Sequence, residues 1–242
     1  MVGVVLVILA LVPPFWEWAL RYEFVETVQF CVFAFVAPAL VAVGAPWRGV
    51  RATGDAHDLT RQPAWFRRWN ARRVREKAQR RALGAAATTI AMTIGWRVAP
   101  VLNALVRHPW LVPVEALTLF VPALLLMVEL VESPPLTPGI SRPYRIGVSA
   151  VVMWSAWVVA YLAGMSHDSW YPAFHHVAGR GISASADQQI SSGAVWVLTA
   201  ALFLPIVFWN LVHWLQSEED PNEEMIKLFR QEREHGFFGS AD

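Results

Sequence analysis

Five side chains of this sequence could bind a soft metal ion. Thiolate, thioether and imidazole groups are ligands that suit copper(I), so a copper(I) site is one interpretation of them. Against it, no two of them have a firm ligand spacing within one helix, and the two adjacent histidines point in different directions. The alternative is that each histidine is an ordinary polar residue at a wet helix end or loop. The five candidate ligands are Cys31, Met165, His167, His175 and His176.

Three glutamates, Glu26, Glu115 and Glu129, lie inside apolar runs of the sequence. A charge in hydrocarbon costs several kcal/mol, so such a residue normally faces other helices or a water-filled space. We expect interhelical hydrogen bonds, for example between Glu26 and the nearby Gln29 or Arg21. A proton or ion relay through the three glutamates is the less favoured interpretation, because the sequence has no two-half symmetry or broken-helix pattern of a transporter.

The composition indicates that these residues are carried by membrane-spanning helices. Of the 242 residues, 55% are hydrophobic and 16% are charged, and the charges are bunched between long apolar runs. Six of the 13 tryptophans lie at or near the ends of these runs, where the headgroup layer suits them, namely Trp16, Trp18, Trp47, Trp110, Trp170 and Trp214. About 20 apolar residues are needed to cross a bilayer. Five runs meet this requirement, namely 1–20, 24–45, 109–131, 146–164 and 190–214. The run 82–106, which is rich in Ala and contains Arg97 and Pro100, is counted as a sixth because Arg142 and Arg145 then lie in the cytoplasm; a surface helix is the alternative.

The charge distribution predicts the orientation of these runs. Residues 48–81 contain 11 of the 20 Lys and Arg residues and only three acids, so the positive-inside rule places this stretch in the cytoplasm. The sequence then predicts an all-α, polytopic membrane bundle of about six transmembrane helices with both termini cytoplasmic. In this topology Arg97 lies nearer the outer end of its span and can snorkel. The predicted units are a transmembrane hairpin (1–45), a basic cytoplasmic loop (46–81), a four-helix region (82–214) with an outer loop (165–189), and an acidic tail (215–242).

The basic loop and the tail are candidates for binding partners. The stretch "WFRRWNARRVREKAQRRALG" combines aromatic residues with seven arginines, which suits a surface helix on anionic lipid or an acidic partner; a plain topology anchor is the alternative. Apolar residues at helical spacing in the tail suit a helix that docks on another protein, and a solvated tail is the alternative. Nucleic acid is not an expected partner, because the loop is tethered to a membrane and shows no recognised fold.

The predicted topology brings polar residues of different helices together near the outer face. Asp187 opens the last apolar run in "ADQQISSGAVW" and is expected to cap or begin its own helix, where an acid interacts favourably with the helix dipole. Gln188 and Gln189 are then free to bond to neighbouring helices. The polar residues expected to have such structural roles are Glu26, Gln29, Glu115, Asp187, Gln188 and Gln189.

Two stretches resemble the cytochrome c oxidase assembly factors of the CtaG type, polytopic inner-membrane proteins linked to copper supply for the oxidase. "FVETVQFCVFAFVAPALVAVGAPW" is similar to a family segment in which a His-x-x-Gln-His motif leads into an apolar run. "ADQQISSGAVWVLTAALFLPIVFWNLVHWLQSEED" is similar to the family's last helix and acidic tail. Where the motif has its two histidines, this sequence has Glu26 and Phe30, and only Gln29 is retained. The resemblance therefore implies the fold more directly than it implies copper binding.

The favoured function is a non-catalytic scaffold or accessory subunit of a larger membrane electron-transfer complex, with lipid and the other subunits as partners. The alternative is a copper-handling assembly factor for cytochrome c oxidase, and a small ion or proton transporter is a third hypothesis. The sequence contains no hydrolase elbow, phosphate loop, zinc-protease pair or dinucleotide fingerprint, so no enzyme activity is expected. No cofactor is expected, with copper(I) as the alternative. The expected location is the bacterial inner membrane.

Overall fold

The computed structural model describes residues 2–47, 77–134, 136–175 and 181–218, which form a bundle of helices. The prediction of an all-α membrane protein is confirmed. Single 3₁₀ turns at Pro109–Leu111 and Pro172–Phe174 lie between the longer helices. The α-helices are α1 (Val2–Leu11), α2 (Phe15–Ala19), α3 (Glu23–Cys31), α4 (Ala37–Gly44), α5 (Ala78–Trp96), α6 (Ala99–Arg107), α7 (Val112–Leu130), α8 (Arg142–Met165) and α9 (Ala184–Glu218).

Four helical stretches of the described residues are long and apolar enough to cross a membrane. They are Glu23–Gly44, Pro109–Leu130, Arg142–Met165 and Ala184–Gln216. A fifth crossing would consist of α5 and α6, which are bent by 68° at a short break. The structure thus supports a multi-pass membrane protein with four or five crossings. The predicted count of six is not confirmed, and the orientation of the termini stays a prediction.

The first apolar run divides into two short helices and does not form one span. Helix α1 has 10 residues, which rise about 15 Å, or about half of the 30 Å hydrocarbon core. Pro13 and Pro14 follow it and donate no backbone hydrogen bond, so the chain restarts as α2 at Phe15. Helix α1 packs along α4. Its Gly3 permits this close approach, because a Cβ atom there would lie 2.5 Å from the carbonyl oxygen of Ala37.

The second apolar run is one continuous helix, Glu23–Gly44, with a π-helical turn at Val32–Val36 between α3 and α4. Pro38 lies in the first turn of α4 and cannot donate to the carbonyl oxygen four residues earlier, which accounts for the widened turn before it. Phe33 and Phe35 of the wide turn are fully buried. This helix is therefore the inner element around which the others pack.

Helix α9 packs along α8 and α3, and α5 packs against α7 and α8. Phe203 of α9 meets Phe35 edge to face, with ring centroids 5.9 Å apart. Trp157 of α8 stacks on Trp196 of α9 at 4.8 Å and donates from Nε1 to Oγ1 of Thr199 at 2.8 Å. Hydrogen bonds from Glu23 to Asp187 and from Arg97 to Glu26 place the start of α3, the start of α9 and the break between α5 and α6 at the same end of the bundle.

Residues 48–76 and 219–242 lie outside the described residues. The predicted surface helix in the basic loop and the predicted docking helix in the tail fall largely within them. Both stay predictions, as does the division of the chain into four units.

Candidate functional site: a buried polar cluster around Arg97

Arg97 lies at the break between α5 and α6. Helix α5 ends at Trp96, and the backbone of Val98 is extended before α6 begins at Ala99. Pro100 lies in the first turn of α6, where its missing N–H costs no helical hydrogen bond. The bend directs Arg97 into the bundle, where it is only 8% exposed. The prediction that Arg97 snorkels to the outer boundary is therefore wrong, because the side chain has partners inside the protein.

Three side chains of α3 surround the guanidinium group of Arg97. Its Nη1 donates to Oε2 of Glu26 at 2.8 Å and to Oγ1 of Thr27 at 3.0 Å. Its central carbon lies 4.1 Å from the ring centroid of Phe30. Residues 26 and 30 are one helical turn apart and therefore share a face of α3. A charge-assisted hydrogen bond and a cation–π contact together hold the cation against this face.

Glu115 of α7 completes this set, which we call the Arg97 cluster: Glu26, Thr27, Phe30, Arg97 and Glu115. Glu115 is fully buried, and its carboxyl group interacts electrostatically with both Arg97 and Glu26. Neither of its carboxyl oxygens has a hydrogen-bond partner among the described residues. The cluster therefore contains two carboxyl groups and one guanidinium group. Of the two carboxyl groups, the one of Glu26 is hydrogen-bonded to the guanidinium group.

Two further hydrogen bonds fasten the Arg97 cluster to the surrounding elements. Thr27 of α3 shares a hydrogen bond with Ser191 of α9. The hydroxyl of Tyr171 donates to the backbone oxygen of Arg97 at 2.9 Å. Burial raises the pKa of Tyr171 to about 12, so the hydroxyl keeps its proton and its role as donor at neutral pH. The loop between α8 and α9 is thereby attached to the break between α5 and α6.

A cavity of about 20 Å³ lies beside the cluster, and its lining includes Thr93, Arg97, Tyr171 and Ser191. Oγ1 of Thr93 and the Nε and Nη2 atoms of Arg97 are buried without a hydrogen-bond partner among the described residues. A cavity of this size has room for one water molecule, and a water needs two to four polar partners. The lining supplies such partners and leaves no room for a larger ligand.

Asp187 lies in the first turn of α9, as the sequence predicted, and its carboxylate also caps α3. Its Oδ2 and Oδ1 accept hydrogen bonds from the backbone N–H groups of Glu23 at 2.8 Å and Phe24 at 2.9 Å. The first N–H groups of a helix lack partners within it and carry the positive end of the helix dipole. The carboxylate therefore joins the starts of α3 and α9 above the Arg97 cluster.

The two glutamines after Asp187 have different environments. Gln188 is buried; its Nε2 donates to the backbone oxygen of Ala163 at 2.8 Å, and its Oε1 accepts from the N–H of Trp170 at 2.7 Å. It thus links α9 to α8 and to the following loop. Gln189 is exposed.

Gln29 is not the partner of Glu26 that the sequence suggested. Its Nε2 donates to the backbone oxygen of Ala10 at 2.6 Å. This carbonyl group belongs to the last turn of α1, where backbone oxygens lack helical partners. Gln29 therefore joins α3 to α1, and the carboxylate of Glu26 bonds to Arg97 instead.

Glu129 belongs to a separate polar group at the other end of α7. Its Oε1 accepts from Nε of Arg81 at 2.8 Å, and its Oε2 accepts from the N–H of Gly139 at 3.4 Å. The 14 residue steps from Glu115 to Glu129 correspond to about 21 Å along a helix. Glu129 and Glu115 thus lie near opposite ends of α7, and a relay through the three glutamates gains no support from this separation.

The structure does not bring the five candidate metal ligands together. Cys31 is fully buried in α3, whereas Met165 is 62% exposed at the end of α8. His167 and His175 are exposed in the loop that follows, and His176 lies outside the described residues. Among the residues that the structure describes, no three His, Cys, Asp or Glu side chains are grouped as a metal site requires. Copper binding by this set stays a prediction.

Five residues of the site were not predicted from the sequence as site residues: Thr27, Phe30, Arg97, Tyr171 and Ser191. The available signal was Arg97 itself, because an arginine inside an apolar run normally faces a partner in the protein. Glu26, in another apolar run, was the complementary charge. Pairing the two would have predicted the centre of the site, whereas Thr27, Tyr171 and Ser191 carry no such signal.

Comparison with known proteins identifies one family. A family model described as cytochrome c oxidase caa3 assembly factor matches residues 1–217. No curated protein and no solved structure matches the chain.

Proposed function

Because the chain belongs to the family of cytochrome c oxidase caa3 assembly factors, we propose that it acts in the assembly of such an oxidase in a bacterial membrane. The observation that supports this proposal is the extent of the match, which reaches from α1 into the last turn of α9. It favours the assembly factor, which was the alternative in the sequence analysis, over a permanent accessory subunit.

We infer that the protein works by contact with oxidase subunits and not as an enzyme. Large apolar side chains of α8 and α9 are exposed on the surface of the bundle, among them Trp154 at 58% and Val197 at 67%. Inside a membrane such side chains are covered by lipid or by other transmembrane helices. They offer an extensive surface against which a newly inserted oxidase subunit could pack.

The residues at the family's histidine positions do not fit a copper ion. The carboxylate of Glu26 is bonded to Arg97, Phe30 has no ligand atom, and a guanidinium cation between them repels a second cation. We therefore infer that the role in assembly does not include copper held on α3. The candidate set of Cys31, Met165 and the histidines of the outer loop is a different hypothesis, which the same experiments address.

Deletion of the gene from a bacterium that carries it tests the proposed function. We expect membranes of the deletion strain to lose oxidase activity and the haem a absorbance band, because the oxidase is not assembled. The wild-type gene should restore both. Unchanged activity and absorbance would contradict the proposal. If the oxidase still assembles in the deletion strain, and if the wild-type oxidase co-purifies with this protein in a fixed stoichiometry, the accessory subunit would be supported instead.

Copper supplementation of the same strain separates the two kinds of assembly role. If the protein works by contact, added copper does not restore the oxidase. Full restoration by copper would favour copper handling. A strain with Cys31→Ser and with His167, His175 and His176 replaced by Ala is the matched variant. We expect it to assemble the oxidase normally, and failure to do so would also favour copper handling.

A further inference from the structure

A groove of about 600 Å³ lies between α4 and α9, far from the Arg97 cluster. Its apolar lining includes Ala39 and Val43 of α4 and Leu202, Pro205 and Ile206 of α9. The end of α7 and the first turn of α8 contribute Leu130 and Arg145. The groove thus combines apolar walls with a polar end.

The groove has the depth of one membrane leaflet. Its lining along α9 extends from Ala201 to Asn210, and these nine residue steps correspond to about 14 Å of helix. Half of the hydrocarbon core is about 15 Å thick. The polar end, at Arg145 and Asn210, lies toward the end of the bundle where α9 finishes, so it is placed at the membrane surface while the apolar end reaches the bilayer centre.

The polar end carries an excess of positive charge. Arg142 and Arg145 share the carboxylate of Glu132, at nitrogen–oxygen distances of 3.4 Å and 3.7 Å. Both distances are long for a charge-assisted hydrogen bond, and the Glu132 side chain is 55% exposed. Nε of Arg145 donates to the backbone oxygen of Ile140 at 3.0 Å, which holds the guanidinium group in place at the mouth of the groove. Two cations and one weakly bonded carboxylate leave a charge that a phosphate group would neutralise.

We propose that this groove binds an anionic phospholipid, with one acyl chain along α9 and the phosphate group at Arg142 and Arg145. Basic pockets between transmembrane helices at the membrane surface are suited to anionic lipid headgroups, and Trp209 beside the mouth supplies an aromatic ring at the same level. The site shares no residue with the Arg97 cluster, and the proposed lipid rests on the groove and its arginines, not on the proposed role in oxidase assembly.

Native mass spectrometry of the full-length protein in mild detergent tests this proposal with phosphatidylglycerol and phosphatidylcholine of identical chains. We expect one phosphatidylglycerol to be retained, in preference to phosphatidylcholine. Arg142→Gln should lower this preference about fivefold, because one surface arginine contributes about 1 kcal/mol to anionic lipid binding. Arg107→Gln is the control, because Arg107 is an exposed arginine at the last residue of α6 and does not line the groove. It should leave the preference for phosphatidylglycerol unchanged.

A second pair of variants tests the groove without changing charge. Ala201→Trp fills the apolar end and should abolish retention of both lipids, whereas Val197→Trp, one turn away on the exposed face of the same helix, should not. Equal retention of the two lipids by the wild type would overturn the proposed selection of an anionic headgroup. Undiminished retention of phosphatidylglycerol by Ala201→Trp would overturn the proposal that the lipid lies in this groove. Displacement of the lipid by millimolar inorganic phosphate would overturn the acyl-chain contribution and leave a simple anion site.

Discussion

Nη1 of Arg97 donates a hydrogen bond to Oε2 of Glu26 at 2.8 Å, although the two residues are 71 positions apart in the sequence. Glu26 stands where the resembling family motif has its first histidine, and Phe30, which lies under the same guanidinium group at 4.1 Å, stands where the motif has its second. Both residues that depart from the motif therefore contact Arg97, which lies at the break between α5 and α6. An arginine cation occupies the face of α3 that the motif would offer to a metal.

Glu26→Gln should destabilise the protein strongly, because it leaves the buried cation of Arg97 without its bonded carboxylate. Breaking one partner of a buried ion pair costs about 3 to 5 kcal/mol. Thermal unfolding in detergent can be followed with a thiol-reactive dye, since Cys31 is the single cysteine and is fully buried. Cys31→Ser, which gives no signal, controls for dye specificity.

Glu115→Gln is the matched variant, and we expect it to change stability by less than about 1 kcal/mol. Its carboxyl oxygens have no hydrogen-bond partner among the described residues, so the amide loses none. A loss as large as that of Glu26→Gln would show that both carboxyl groups are needed to hold Arg97.

Asp187→Ala should cost about 0.5 to 2 kcal/mol, the usual range for a lost helix cap, because the N–H groups of Glu23 and Phe24 lose their acceptor. The same dye reports this loss. Asp187→Asn keeps one acceptor oxygen and should lie between the alanine variant and the wild type. Gln189→Ala changes an exposed neighbour and should have no effect; if it destabilises as much as Asp187→Ala, the cap is not the cause.

Tyr171→Phe should cost about 1 kcal/mol at neutral pH, because one hydrogen bond to the backbone of Arg97 is lost. Burial raises the pKa of Tyr171 to about 12, compared with about 10 in an unfolded chain. The wild type therefore keeps the full contribution of this group below pH 10 and loses it progressively between pH 10 and 12. The advantage of the wild type over Tyr171→Phe in melting curves should therefore shrink across this range. A constant difference up to pH 12 would show that folding does not raise the pKa of Tyr171.

Labelling of introduced cysteines in a Cys31→Ser background tests the predicted orientation. A cysteine at position 70, in the basic loop, should react only from the cytoplasmic side, and one at position 167, in the loop after α8, only from the outer side. Reaction of both from the same side would overturn the predicted sidedness.

The apolar runs predicted the positions of the long helices, since a length of about 20 apolar residues is a local property of the sequence. The first run was predicted as a span because only its apolar length was counted. Pro13 and Pro14 interrupt it, since each of them removes a backbone donor. The place of Asp187 in the first turn of its own helix could be predicted, because capping rules describe neighbours in sequence. Its bond to the N–H of Glu23 joins residues 164 positions apart, and such a pairing depends on how the helices pack. The pair of Arg97 and Glu26 could have been predicted, because both are charged residues inside apolar runs, whereas Thr27, Tyr171 and Ser191 join the site only through the packing of the helices.

Copper binding by the purified protein is the most direct measurement of whether Arg97 takes the place of a metal on α3. The protein is loaded with copper(I) under reducing conditions, desalted, and measured for copper per chain, together with the Glu26→Gln and Cys31→Ser variants. We predict that both variants bind the same amount as the wild type, so that no copper depends on α3. One copper per chain in the wild type that disappears in Glu26→Gln and in Cys31→Ser would contradict this prediction.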